Sequence, residues 1–308
     1  MLLACVPETA LAGGLVLRDT GLRATTVRSD GEQRLALAAG DGPVSVLDTR
    51  TQTFSAIATP AGCRFVDIHR ATLLWNCPSS RSFPSGMTYE MATGRVASLR
   101  PLQSGSEFGG AEQANYATIG DRFARISLGG YHYGSDAAVY VDRTTGRQFH
   151  RAARFGQVRD LDAPALTREL CAGSLKPQIQ GGIDLQPGDP VVAGPWTAAL
   201  TLTDSYQEHI ELQRCGGRGR TIRVCRTVTC SQPVLDHRIV AWTEARGVGV
   251  TFSSRLVVRR LRSGRVRRTP WQTTRLSPLL ADRRLYAHEG PSLPGLGTMP
   301  GRVLRAAL

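Results

Sequence analysis

Short apolar runs separated by polar turns recur along almost the whole chain. They read Arg34-Leu-Ala-Leu-Ala38, Ala71-Thr-Leu-Leu-Trp75, Arg122-Phe-Ala-Arg-Ile126, Pro195-Trp-Thr-Ala-Ala-Leu200, His237-Arg-Ile-Val-Ala-Trp242 and Asp282-Arg-Arg-Leu-Tyr286. Each has the length of a strand, and its consecutive apolar positions predict inner strands buried on both faces. Two approach regions match in detail: Cys63 precedes His69-Arg70 and Trp75, as Cys230 precedes His237-Arg238 and Trp242.

Downstream of these runs a second pattern returns. Glu90-Met-Ala-Thr-Gly-Arg95, Asp142-Arg-Thr-Thr-Gly-Arg147 and Arg260-Leu-Arg-Ser-Gly-Arg265 are copies of one phrase, with looser versions at Asp48–Gln52 and Gln213–Arg218. The glycines at 94, 146, 217 and 264 supply the positive φ of a tight hairpin, and an acidic first residue can accept from turn amides. That role accounts for these glycines without any phosphate-cradling function. Counted from positions 48, 90, 142, 213 and 260, the repeat spacings are 42, 52, 71 and 47 residues. A four-stranded propeller blade needs about 40–50 residues, so the fold class is all-β, a single β-propeller of four-stranded antiparallel blades. Six blades is the count, with seven the alternative. The long spacing holds an irregular insertion at about 159–190, rich in Asp, Pro and Gly. N-terminal strand material from about residue 15 is expected to complete the last blade, removing an exposed edge.

An inner strand, a loop and a strand ending in Asp-x-x-Thr-Gly-Arg resemble the TolB-like and WD-repeat-like propellers of exported bacterial proteins. The resemblance covers most of residues 15–308. It implies scaffolding or recognition more often than catalysis, and Gln213 and Arg260 depart from it where it has Asp.

Composition adds a compartment. Met1 to Val6 is apolar, and Ala10-Leu11-Ala12 before Gly13-Gly14 has the small-x-small form of a signal-peptidase site, so residues 1–12 read as a truncated signal-peptide remnant and 13–308 as the propeller. Leu2-Leu3-Ala4-Cys5 also has the form of a lipobox. The remaining six cysteines suggest three disulfides in an exported chain. Sequence neighbours give Cys63–Cys77, Cys171–Cys215 and Cys225–Cys230, one of fifteen connectivities. No run of apolar residues is long enough to form a transmembrane span. The expected localisation is secreted or cell envelope.

Charge adds a direction. The net charge is +13, with 38 basic and 25 acidic side chains. Residues 201–308 hold 19 of the basic groups and 7 of the acidic ones, so nearly all the surplus lies there. Arg255, Arg259, Arg260, Arg262, Arg265, Arg267 and Arg268 surround one hairpin and form a candidate anion-binding flank. Its partner would be a protein, an anionic envelope polymer or a lipid surface. Nucleic acid is disfavoured by export and by the lack of interleaved aromatics.

Chemistry-bearing motifs are sparse. There is no nucleophile elbow, zincin motif, Walker loop or dinucleotide fingerprint, and the six histidines show no metal-ligand spacing, so no metal or cofactor is expected. The better candidates lie in loops between second and third strands: Arg81, Tyr131, His132, Tyr133, Asp136, Tyr206, His209 and His288, with Arg246 and Phe252 in another such loop. These residues support a monomeric binding or scaffold module. The rival is a glycan hydrolase or lyase, which would need two carboxylates from among Asp136, Asp204, Glu208 and Glu289.

Overall fold

The computed structural model describes residues 14–79, 84–100, 113–129, 137–152, 191–193, 195–202, 207–214, 220–248, 251–290 and 300–308. Among these there is no α-helix, and the strands fall into six antiparallel sheets. After β1 (Val16–Ala24), the first sheet holds β2 (Thr26–Ser29), β3 (Arg34–Ala38), β4 (Val44–Asp48) and β5 (Thr53–Ile57). The second holds β6 (Arg64–His69), β7 (Thr72–Cys77), β8 (Ser85–Glu90) and β9 (Arg95–Leu99). The third holds β10 (Gln113–Ile119), β11 (Phe123–Gly129), β12 (Ala137–Asp142) and β13 (Gln148–Ala152). The fourth holds β14 (Val191–Ala193), β15 (Trp196–Leu202), β16 (Glu208–Arg214) and β17 (Arg220–Val224). In the fifth, β18 (Thr229–Cys230) and β19 (Val234–Leu235) both pair with β20 (Ile239–Arg246), which is followed by β21 (Ser253–Arg260) and β22 (Val266–Arg268). The sixth holds β23 (Arg275–Ala281), β24 (Arg284–Gly290) and β25 (Gly301–Ala307), and takes β1 as its outermost strand.

The β1–β25 pair runs from Val16 opposite Ala307 to Ala24 opposite Gly301. The N-terminal strand therefore completes the last sheet, as the strand pattern requires. Neighbouring sheets touch largely through their innermost strands: β2 meets β6, β6 meets β10, β14 meets β19, β19 meets β23, and β23 meets β2. This is a β-propeller. The described residues show six sheets; residues 153–190, with the expected insertion, lie outside them, as do residues 1–13.

The apolar runs form inner strands, as their pattern predicts. They form β3, β7, β11, β15, β20 and β24, each the second strand of its sheet. A second strand is paired along both edges and covered on both faces by neighbouring sheets, so it can be apolar at every position. The innermost strand has one edge without a strand partner and carries polar residues such as Ser29, Asp67, His69 and Thr118. At the rim the pattern inverts, and β5 is exposed along nearly its whole length.

The core is accordingly divided into layers between sheets. One joins the first and second sheets through Val44, Val46, Phe65 and Trp75. Another joins the second and third through Leu74, Ile119, Ile126 and Val141. Similar layers join the fourth to the fifth, the fifth to the sixth and the sixth to the first. Trp75 and Trp242, at matching places in β7 and β20, are both about 1% exposed. Full burial of so large an apolar group contributes roughly 3 kcal/mol by area, the upper end of the usual range.

The recurring phrase forms the turn between third and fourth strands. In the Asp142 copy the Gly146 amide donates to the Asp142 carbonyl at 2.8 Å, and Asp142 Oδ1 accepts from the amides of Thr144 and Thr145 at 2.9 and 3.2 Å. Gly94, Gly146 and Gly264 sit at φ of 69°, 72° and 68°, and Gln52 takes the same conformation, at 61°, in the first copy. The acid is dispensable: the Arg260 copy keeps the Gly264 amide bond to the Arg260 carbonyl at 2.9 Å. Gly217 lies outside the described residues.

Candidate functional site

The innermost strands decide what is left for chemistry. Arg28 of β2 donates through Nε to the Val66 carbonyl of β6 at 3.0 Å. Asp67 of β6 accepts from Thr118 Oγ1 at 2.6 Å and from the Ile119 amide at 3.1 Å, both in β10. Asn76 grips the Tyr116 main chain with both ends of its amide, each bond 2.9 Å long. Thr243 donates to the Leu276 carbonyl of β23 at 2.7 Å. A polar side chain between sheets, whether on an innermost strand (Arg28, Asp67) or on a second strand (Asn76, Thr243), must find a partner or lose the stability of a hydrogen bond. Here the partners lie on the next sheet, so these polar groups tie one sheet to another.

Two of the proposed loop residues are described. His209 lies near the start of β16, half-buried, opposite Thr201 and Val224. His288 in β24 places Nε2 2.9 Å from the Ala24 carbonyl, and burial lowers its pKa below the usual histidine value. As a neutral ring it donates there and contributes to strand packing. Arg81, Tyr131, His132, Tyr133, Asp136, Asp204 and Tyr206 lie outside the described residues. Among the described residues no group of three or more His, Cys, Asp or Glu is placed to hold a metal ion.

The two described carboxylate candidates differ. Burial raises the Glu208 carboxyl above its ordinary value, against a 3.2 Å hydrogen bond from the Cys230 amide. Burial would also raise Glu289, but donors outweigh it: Arg302 Nε donates to Oε2 and Thr274 Oγ1 donates to Oε1 at 2.8 Å, holding it low.

The Arg-rich region has more structure than its sequence implied. Glu244 of β20 is fully buried and lies between two guanidinium groups. Arg223 Nε of β17 is 2.7 Å away, and Arg255 Nη2 of β21 is 2.6 Å away. Arg255 also stacks on Trp271, 4.4 Å from the ring centre, and Arg246 stacks on the same ring at 4.2 Å. Arg275 lies 5.3 Å over Phe252 in the same neighbourhood. Arg267 donates to the carbonyls of Gly14 and Ala307 at 2.6 and 3.3 Å, anchoring both sides of the β1–β25 pair. Arg260, Arg262, Arg265 and Arg268 are exposed, with Arg259 half-buried beside them. No carboxylate occurs between residues 251 and 268.

Sequence reading thus found the charge surplus but not its division of labour. Glu244 and Trp271, which hold the inner part of the cluster, were missed. A lone acid two residues after Trp242, amid arginines, was the available signal for Glu244; nothing local marked Trp271.

Disulfides join Cys63 to Cys77 and Cys225 to Cys230, both as expected. The first closes over β6 and β7 within one sheet; the second joins the end of β17 to β18 across two sheets. Cys171 and Cys215 lie outside the described residues. No helix among the described residues is long and apolar enough to cross a membrane.

Comparisons with solved structures return distant likenesses over most of the chain. The fold is similar to TolB from Acinetobacter baumannii, at 9% identity and a TM-score of 0.44, covering 96% of this chain and 64% of that one. It is also similar to the β-propeller domain of the Trilobed protease from Pyrococcus furiosus, at 8% identity and 0.40, covering 90% and 79%. A prolyl endopeptidase structure matches at 11% identity and 0.43, and there the chain spans 38% of the matched protein's length. No family model matches the chain, and no curated protein does.

Proposed function

We propose that this propeller is an exported, monomeric binding or scaffold module at the cell envelope, and that its basic flank meets an anionic partner. The observation that carries the reading is the set of exposed guanidinium groups at Arg260, Arg262, Arg265 and Arg268, with no carboxylate between residues 251 and 268. Like charges gathered on one flank raise the local potential and attract anionic surfaces. The two disulfides support an oxidising compartment, where such bonds persist. Residues 1–12 then belong to an export signal, 159–190 to an insertion in a six-bladed ring, and the anionic partner is an envelope polymer or lipid surface.

Co-sedimentation with vesicles of phosphatidylglycerol, against phosphatidylcholine, tests it across a salt series. Binding to the anionic vesicles is expected to weaken steeply with salt. The variant Arg260→Glu/Arg262→Glu/Arg265→Glu is expected to weaken it at least tenfold while retaining the fold by circular dichroism. Binding indifferent to both salt and charge reversal overturns the reading.

A further inference from the structure

The β1–β25 ladder sets arginine opposite arginine twice: Arg23 opposite Arg302, and Arg18 opposite Arg305. Like charges directly opposed on one sheet face destabilise a strand pair. The first pair is neutralised within the fold. Asp19 accepts from Arg23 through both oxygens at 3.1 Å and lies 3.9 Å from Arg302, which also donates to Glu289. The second pair has no such partner. Arg18 and Arg305 are both exposed, and among the described residues neither side chain makes a hydrogen bond or an ion pair.

Strand register explains the difference. Asp19 stands opposite Leu304, and Leu304 lies in the core layer against the fifth sheet, so the acid belongs to that face. Arg305 alternates with Leu304 and shares the other face with Val303, which lies in the layer against the first sheet. Tyr286 of that layer stands opposite Arg305 in β24. Arg284, two residues before it, is a third arginine on this face, but it is engaged: Nη1 donates to the Thr49 carbonyl at 2.9 Å, and Asp282 lies 3.6 Å away. The Thr49 contact brings the β4–β5 turn against the sixth sheet. Three acids of the first sheet are also taken, Asp30 by Arg34, Glu32 by Arg70 and Asp48 by the amides of its own turn. Phe54 stands opposite Leu47 of the same core layer, so it lies on the wall that looks toward Arg18 and Arg305, 57% exposed.

We infer that Arg18 and Arg305 form a binding site for a small phosphate monoester, in the rim cleft between the sixth and first sheets. Two guanidinium groups supply two positive charges and two planar donor forks. A monoester carries about −1.5 to −2 at pH 7 on three acceptor oxygens, and so matches both. A carboxylate accepts from one fork and neutralises one charge. The bound oxyanion replaces the cross-strand repulsion with two charge-assisted pairs, as Asp19 and Glu289 do for the other arginine pair. Phe54 on the facing wall is an apolar surface for the organic group of the ester.

The probe is phenyl phosphate, titrated calorimetrically into the full chain at about 0.1 M salt, where charges more than about 10 Å apart are largely screened. Saturable binding is expected, at least tenfold tighter than that of benzoate. Arg18→Gln and Arg305→Gln should each weaken it at least tenfold with an unchanged circular dichroism spectrum. Phenyl phosphate should raise the Tm of wild type and not that of Arg305→Glu, which supplies the missing acid from within the chain. The charge reversal at Arg260, Arg262 and Arg265 should leave phenyl phosphate binding within threefold, and Arg18→Gln/Arg305→Gln should leave sedimentation with phosphatidylglycerol vesicles within threefold. Failure of the basic-flank reading therefore leaves this site standing. Absence of binding to a folded wild-type chain overturns the proposal, as does benzoate binding as tightly as phenyl phosphate or unchanged binding by both glutamine variants. Binding lost in the flank reversal and kept by the glutamine variants assigns the anion to the flank and overturns it too.

Discussion

In the second sheet Trp75 lies in β7, and Cys77, two residues on, is bonded to Cys63. In the fifth sheet Trp242 lies in β20, and Glu244, two residues on, is held between Arg223 and Arg255. The same place on the same strand is secured covalently in one sheet and ionically in the other. The covalent solution is neutral and leaves its surroundings free to be apolar, and an apolar groove between Trp75, Met87, Tyr89 and Val96 of this sheet and Ile57 of the first follows. The ionic solution is demanding, because a fully buried carboxylate needs close partners to offset its lost hydration. It recruits one guanidinium from the neighbouring sheet and one from the next strand, and Trp271 orders Arg255 further with Arg246 on the same ring. Basic character in this half of the molecule is thus partly structural, while the outer hairpin gathers exposed guanidinium groups in one place.

The sharpest break in the comparison is Glu244→Ala. It leaves Arg223 and Arg255 facing each other over a buried space, and the expected loss is about 4 kcal/mol of unfolding free energy in urea. A loss below about 1 kcal/mol would mean that the clamp does not carry the fifth sheet's stability. Next comes Cys63→Ser with Cys77→Ser, expected to cost about 3 kcal/mol for a closed loop of this length. The two sites are on different sheets with different partners, so the combined variant should be close to additive.

Acid separates the two solutions at a smaller scale. A disulfide does not titrate, whereas the sixth sheet, next to the fifth, holds Glu289 with a depressed pKa through Arg302 and Thr274. A carboxylate lowered on folding stabilises the protein above its unfolded value, about 4.3, and that contribution disappears as pH falls through the folded value. Wild type should exceed Glu289→Gln by about 1 kcal/mol at pH 7, since half-exposed Arg302 weakens the charge-assisted bond. The gap should close as pH falls below about 4. A gap unchanged down to pH 3 would place the effect in packing instead.

Much of the scaffold was legible in the chain, for identifiable reasons. The turns could be read because positive φ is confined to few residue types, and the acidic turn residue bonds locally. The Cys63–Cys77 and Cys225–Cys230 pairs were legible because each closes a local segment. The second strands were legible because a run that is apolar at every position marks a strand covered on both faces. Burial on both faces marks a strand flanked by sheets, and the innermost strand is the one left with a polar edge. Cross-sheet bonds such as Asp67 to Thr118 and Asn76 to Tyr116 join residues 51 and 40 positions apart, and no local pattern encodes such a distance.

By itself, the sequence determined a repeating four-stranded unit, its turns, two local disulfides and a basic second half, because each depends on neighbours within a few residues or on bulk composition. Tertiary structure alone decided that Arg255 and Arg267 are engaged inside the fold while Arg260, Arg262, Arg265 and Arg268 stay exposed. It alone set an uncharged β5 beside an apolar groove. Those outcomes depend on which sheets become neighbours, and contacts between sheets join residues that no local pattern links.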